Sequence, residues 1–162
     1  MEATIAGPGP ASGAARALLE LSDLRRHQRR DVIERVLEAA HALPEPDREL
    51  LQAVLQEGTP VNRLARLRGV SVRVTRREVT NLIQRVLSPV YGFVVQQRAG
   101  WPRRRARVAE LTVVRGMSLR AAAEQLGETV WTVRREREAI GALLEGAQAA
   151  ARSIHNASKA SA

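Results

Sequence analysis

Between Ala14 and Ala42 the apolar residues Leu18, Leu21, Leu24, Val32, Ile33, Val36, Leu37 and Ala40 recur at intervals of three and four, the spacing that lines one helix face. The polar run RRHQRRD between them marks a break. Such a stripe must be buried on something, and the domain that follows is the nearest surface. The valine-rich stretches Val70–Val74 and Val90–Val95 each lie between strongly helical patterns, so the chain is expected to be all-α. Residues 1–13 (MEATIAGPGPASG) are rich in Gly, Pro and Ala without periodicity and are expected to form a disordered arm, ahead of a helical segment over 14–42. After Gly146 large apolar residues disappear, so 147–162 is expected to be a flexible tail.

The pattern repeats at an offset of 58 residues. LPEPDRELLQAVLQEGTPVNRLARLRGVSVRVTRREV, from Leu43, aligns without a gap to WPRRRARVAELTVVRGMSLRAAAEQLGETVWTVRRER, from Trp101. Identities fall at Pro44/Pro102, Gly58/Gly116, Ala65/Ala123, Gly69/Gly127 and Val72/Val130, and in the run Arg76-Arg77-Glu78 against Arg134-Arg135-Glu136. Each copy reads as three helices. Pro44 or Pro102 suits a helix start, where a missing N–H costs nothing, and Leu43 or Trp101 can staple that end. Gly58 or Gly116 ends the helix, and Thr59 or Ser118 is expected to cap a short second helix. Gly69 or Gly127 makes a tight turn requiring positive φ, and Ser71 or Thr129 caps the third helix. Its inward stripe is Thr75, Val79, Leu82 and Val86 in one copy and Val133, Ile140 and Leu144 in the other. The Ala, Gly and cap spacing is that of a helix-turn-helix. The expectation is two trihelical helix-turn-helix units in tandem, over 43–88 and 101–146, joined by a connector over 89–100 whose Tyr91, Phe93, Val94 and Val95 fill core between them.

The first copy resembles the fourth, promoter-reading region of bacterial RNA polymerase sigma factors: Leu-Pro, an Arg four residues after the Pro, a Gly, then Ala-x-x-Leu-Gly-x-Ser-x-x-Thr-Val. The second copy matches more closely, with Ser118, Leu119, Ala123, Leu126, Gly127, Thr132 and Val133 in place. Arg68 and Thr75 depart from the Leu and Val of that pattern, and Glu128 replaces an apolar residue. The resemblance implies a double-stranded DNA reader, with RNA polymerase as a further partner. It does not extend to promoter melting, which relies on aromatic residues that capture unstacked bases, and aromatics are 2% of this chain.

Composition narrows the chemistry further. The chain has no cysteine, and its histidines, His27, His41 and His155, share no helix face, so no metal site is expected. Neither a phosphate loop nor a nucleophile elbow is present, and the chain is expected to be non-enzymatic and without a cofactor. With no long apolar run and no secretory signal, no membrane association is expected and a cytoplasmic location follows. The net charge of +9 points to a polyanionic partner. The excess is concentrated: residues 43–100 hold nine basic and five acidic side chains, and 101–145 hold nine and six.

The candidate DNA-contacting residues sit where a recognition helix meets the major groove. They are Ser71, Val72, Arg73, Arg76 and Arg77 in the first copy and Thr129, Val130, Trp131, Arg134 and Arg135 in the second. Arg103, Arg104 and Arg105 crowd a helix start that disfavours cations, which suggests phosphate contact. Glu78 and Glu136 are expected to orient neighbouring arginines by ion pairing. Two alternatives stay open: a module that docks on RNA polymerase or another transcription factor without reading DNA, and the DNA-targeting subunit of a recombinase-like system.

Overall fold

The computed structural model describes residues 30–160, and among these every regular element is helical. Helix α1 (30–39) ends in a tight turn, Ala40–Ala42, and is followed by α2 (Glu45–Leu55), α3 (Val61–Leu67), α4 (Val72–Val86) and α5 (Pro89–Gln97). Helix α6 (Arg103–Ala109) passes into a wide π-helical turn, Glu110–Val114, before α7 (Leu119–Leu126) and α8 (Val130–Ala160). The expected arm over 1–13 and the stripe residues Leu18, Leu21 and Leu24 lie outside the described residues.

The backbone repeats as the sequence does. Gly58, Gly69, Gly116 and Gly127 all take left-handed φ of 65–67°. The amide after each helix-ending glycine reaches back across the turn, Thr59 to the Ala53 carbonyl at 2.8 Å and Met117 to Leu111 at 2.9 Å. The next turn is equally matched, with Val70 N donating to Ala65 O and Glu128 N to Ala123 O, each at 3.0 Å. Helix α4 packs against α2 and α3, and α8 against α6 and α7.

Three details differ from the sequence reading. Thr59 does not cap α3: Pro60 holds that position with no side-chain bond, because the residue aligned with Ser118 is Pro60. Ser118 does cap α7, its hydroxyl accepting from Ala121 N at 3.2 Å. Residues 89–97 of the connector are helical, opened by Pro89 and by Ser88, whose hydroxyl accepts from Tyr91 N. Helix α8 continues past residue 146 through Ala160, with the side chains of 147–159 exposed, sustained by alanine-rich local propensity rather than by burial.

The core ignores the boundary between the copies. Val36 and Ala40 of the α1 end, Leu50 and Leu51 of α2, and Val79, Leu82 and Val86 of α4 cluster with Tyr91 and Val94 of α5. The same cluster takes in Val113 and Val114 of the π turn and Ile140 of α8. A second, smaller cluster, Val108, Leu111, Ala122, Ala123 and Val133, lies within the second copy. Two polar links reinforce the junction. The Tyr91 hydroxyl donates to the Ala39 carbonyl at 3.0 Å. Arg85 donates to Asp47 and to the Val114 carbonyl, each at 3.4 Å, and its guanidinium lies against Gly116. Burial raises the Asp47 carboxyl above its ordinary range, with Arg85 opposing.

Alanine at Gly58 meets open space and should cost only the left-handed strain, about 1–2 kcal/mol. At Gly116 the added Cβ also overlaps the Arg85 guanidinium, so Gly116→Ala should cost more in urea unfolding, and the excess should vanish in an Arg85→Ala background. Burial pushes the Tyr91 hydroxyl from 10.0 up to about 12. Its contribution to stability is therefore full below pH 10 and is lost as the pH rises to about 12, because the unfolded chain ionises first. Tyr91→Phe should lose about 1 kcal/mol at pH 8 and much of that alkaline slope.

Candidate nucleic-acid interface

Helix α4 starts at Ser71, whose hydroxyl accepts from Val74 N at 3.2 Å. That start fixes the helix phase: Thr75, Val79 and Leu82 point inward and are buried, leaving Val72, Arg73, Arg76 and Arg77 on the exposed face. Buried Thr75 is tolerated where a valine would suit because its hydroxyl donates to the Ser71 carbonyl at 3.3 Å. Val72, Arg73, Arg76 and Arg77 line one shallow groove.

Helix α8 is built alike. Thr129 accepts from Thr132 N at 3.1 Å, Val133 and Ile140 are buried, and Val130, Trp131, Arg134 and Arg135 are exposed. Trp131, at the position equivalent to Arg73, is 65% exposed, so it does not fold back into the core. The Arg135 guanidinium lies 5.5 Å from its ring centre, a cation–π contact.

The ion pairs separate framework arginines from free ones. Arg68 grips Glu78 through both terminal nitrogens at 2.7 and 2.9 Å, so the arginine standing where the pattern wants leucine holds the α3–α4 corner by charge. That bond holds the Glu78 carboxyl below its ordinary range, with burial opposing. Arg105 donates to Glu136 at 2.9 Å, and Arg104 pairs with Glu128 at 3.2 Å. Glu110 receives both Arg98 and Arg115. Among the described residues Arg73, Arg76, Arg77 and Arg134 enter no ion pair. The glutamate that follows each arginine pair is thus turned inward onto the framework, while the pair itself faces solvent.

The Arg103–Arg105 cluster divides. Arg105 is half-buried in its pair with Glu136, Arg104 is shared with Glu128, and Arg103 is exposed and meets no carboxylate among the described residues. Its companion is Arg107, which sequence reasoning passed over. Arg107 lies one helical turn on and lines a cleft with Arg103, Arg104, Leu126 and Glu128. The i,i+4 spacing of Arg103 and Arg107 was the available signal. Among the described residues no helix is long and apolar enough to cross a membrane. No family model matches the chain, and no curated protein or solved structure matches it either.

Because the Glu78 carboxyl is held below 4.5, its pair with Arg68 should support the fold fully above that pH and progressively less as the pH falls. Glu78→Gln should therefore lose about 0.5 kcal/mol in urea unfolding at pH 7, the size of a partly exposed pair, and show a flatter acid limb.

Proposed function

We propose that this protein binds double-stranded DNA through two helix-turn-helix units, with α4 and α8 as recognition helices, and acts in transcription regulation without a catalytic step of its own. The observation that carries the reading is the paired arrangement of arginines. In both copies the turn glycine, the hydroxyl cap and the inward glutamate recur around an arginine pair left facing solvent. Arginine presented from the first turns of a helix suits guanine edges in the major groove and phosphate beside it. The resemblance to the promoter-reading region of sigma factors agrees with this use of the third helix.

A second reading, docking of the first copy on a protein such as RNA polymerase, draws on one feature. Leu67, Val70 and Val74 are exposed (74%, 40% and 44%), where the second copy has Gln125, Glu128 and Thr132.

Arg134→Ala with Arg135→Ala, compared with wild type by fluorescence anisotropy on selected and random duplexes, tests the main reading. Base-edge contact predicts a loss of about 1–3 kcal/mol per bidentate contact and relaxed sequence preference. Phosphate contact alone predicts an even loss across sequences, with a salt slope smaller by about 0.9 per contact. Unchanged affinity and slope in a variant still helical by circular dichroism would favour the protein-docking reading.

A further inference from the structure

The first helices of the two copies carry opposite charges at equivalent positions. Helix α2 has Glu45, Asp47 and Glu49 where α6 has Arg103, Arg105 and Arg107. The framework absorbs the middle pair, Asp47 through Arg85 and Arg105 through Glu136. The outer residues Glu45, Glu49, Arg103 and Arg107 are exposed and enter no ion pair among the described residues.

Their placement gives the inversion a consequence. Arg103, Arg104 and Arg107 line one cleft with Leu126 and Glu128, which flank the turn leading into α8. Asp47 likewise shares a cleft with Arg68 and Val70, which flank the turn into α4. Each first helix therefore borders the turn that delivers its copy's third helix. Beside α8 that border carries three arginines and one glutamate. The equivalent positions of the first copy are Glu45, Pro46, Glu49, Arg68 and Val70. The cleft around Asp47 and Arg68 also takes in Arg77, Arg85 and Arg115, of which Arg85 is held by Asp47 and Arg115 by Glu110, while Glu45 and Glu49 lie outside it. The contrast is therefore confined to the first helices: a polyanion meets the unpaired Arg103 and Arg107 along α6, and Glu45 and Glu49 with Arg48 between them along α2.

We infer that the second copy grips the phosphate backbone through Arg103 and Arg107, while Glu45 and Glu49 hold α2 of the first copy away from it, so that the two units engage a duplex unequally. The inference rests on the DNA-binding reading above. It makes the first copy an electrostatically restrained partner whose contact depends on α4 alone.

The test uses the full chain and a fluorescent random-sequence duplex across a salt series, with circular dichroism as a check on folding. Arg103→Ala with Arg107→Ala should weaken binding on the order of tenfold and shrink the salt slope by about 1.8, the value for two phosphates. Glu45→Arg with Glu49→Arg should tighten binding and steepen the slope by a similar amount. Glu138→Arg with Glu145→Arg, the same charge change further along α8, should do much less. If either of the first two variants binds like wild type, or if the α8 control matches the α2 variant, the unequal grip is overturned. Those outcomes with wild-type binding still sensitive to Arg134→Ala and Arg135→Ala would leave the DNA-binding reading standing. No salt-dependent binding by the wild-type chain would overturn that reading itself, and the unequal grip with it.

Discussion

Burial of α5 between the two copies is the constraint on which the rest of the structure depends. Tyr91 and Val94 are almost fully removed from solvent, and they are covered from the first copy by α1 and α4 and from the second by the π turn and α8. A connector that contributes core residues cannot act as a flexible tether. The Tyr91 bond to Ala39 and the Arg85 bonds to Asp47 and Val114 tie the same junction with directional contacts. The arginine-bearing faces of α4 and α8 consequently have a fixed mutual placement. On the proposed reading, a duplex must present its two contacted segments at one spacing, and the geometry of the junction sets that spacing.

Charge is distributed in the service of that framework before it is available for binding. Arg68, Arg85, Arg98, Arg104, Arg105 and Arg115 each meet a carboxylate, and these pairs sit at corners and between helices. Exposed pairs of this kind add little stability singly, but they settle which arginines stay free. Among the described residues Arg48, Arg63, Arg66 and Arg120 are unpaired as well as the arginines on the outer faces of α4 and α8 and along α6, and it is the latter group that would offer a polyanion donors beside the two third helices.

Much of this was legible in the chain because it depends on short-range backbone chemistry. The four positive-φ glycines and the caps at Ser71, Ser118 and Thr129 follow from steric and hydrogen-bonding rules that act within a few residues. The division among Arg103, Arg104 and Arg105 was not legible, since it depends on Glu128 and Glu136 arriving from the other side of a turn. Arg68 looked like a defect in a buried stripe, and only its long-range pair with Glu78 shows how the corner closes. The shared core was hidden for the same reason: Ile140 reads as stripe residue of its own helix, and nothing local says that it joins one buried cluster with Val94. The length of α8 was missed because alanine sustains a helix without the apolar periodicity that marks a buried one.

The most direct test of the account is equilibrium binding of the intact chain to random duplex DNA at two salt concentrations, followed by selection of preferred sequences from a pool. The account predicts binding that weakens steeply with salt, by about 0.9 in log–log slope per phosphate neutralised, and enrichment of sequences with two segments at one spacing. No binding at low salt, or binding with no sequence enrichment, would contradict it.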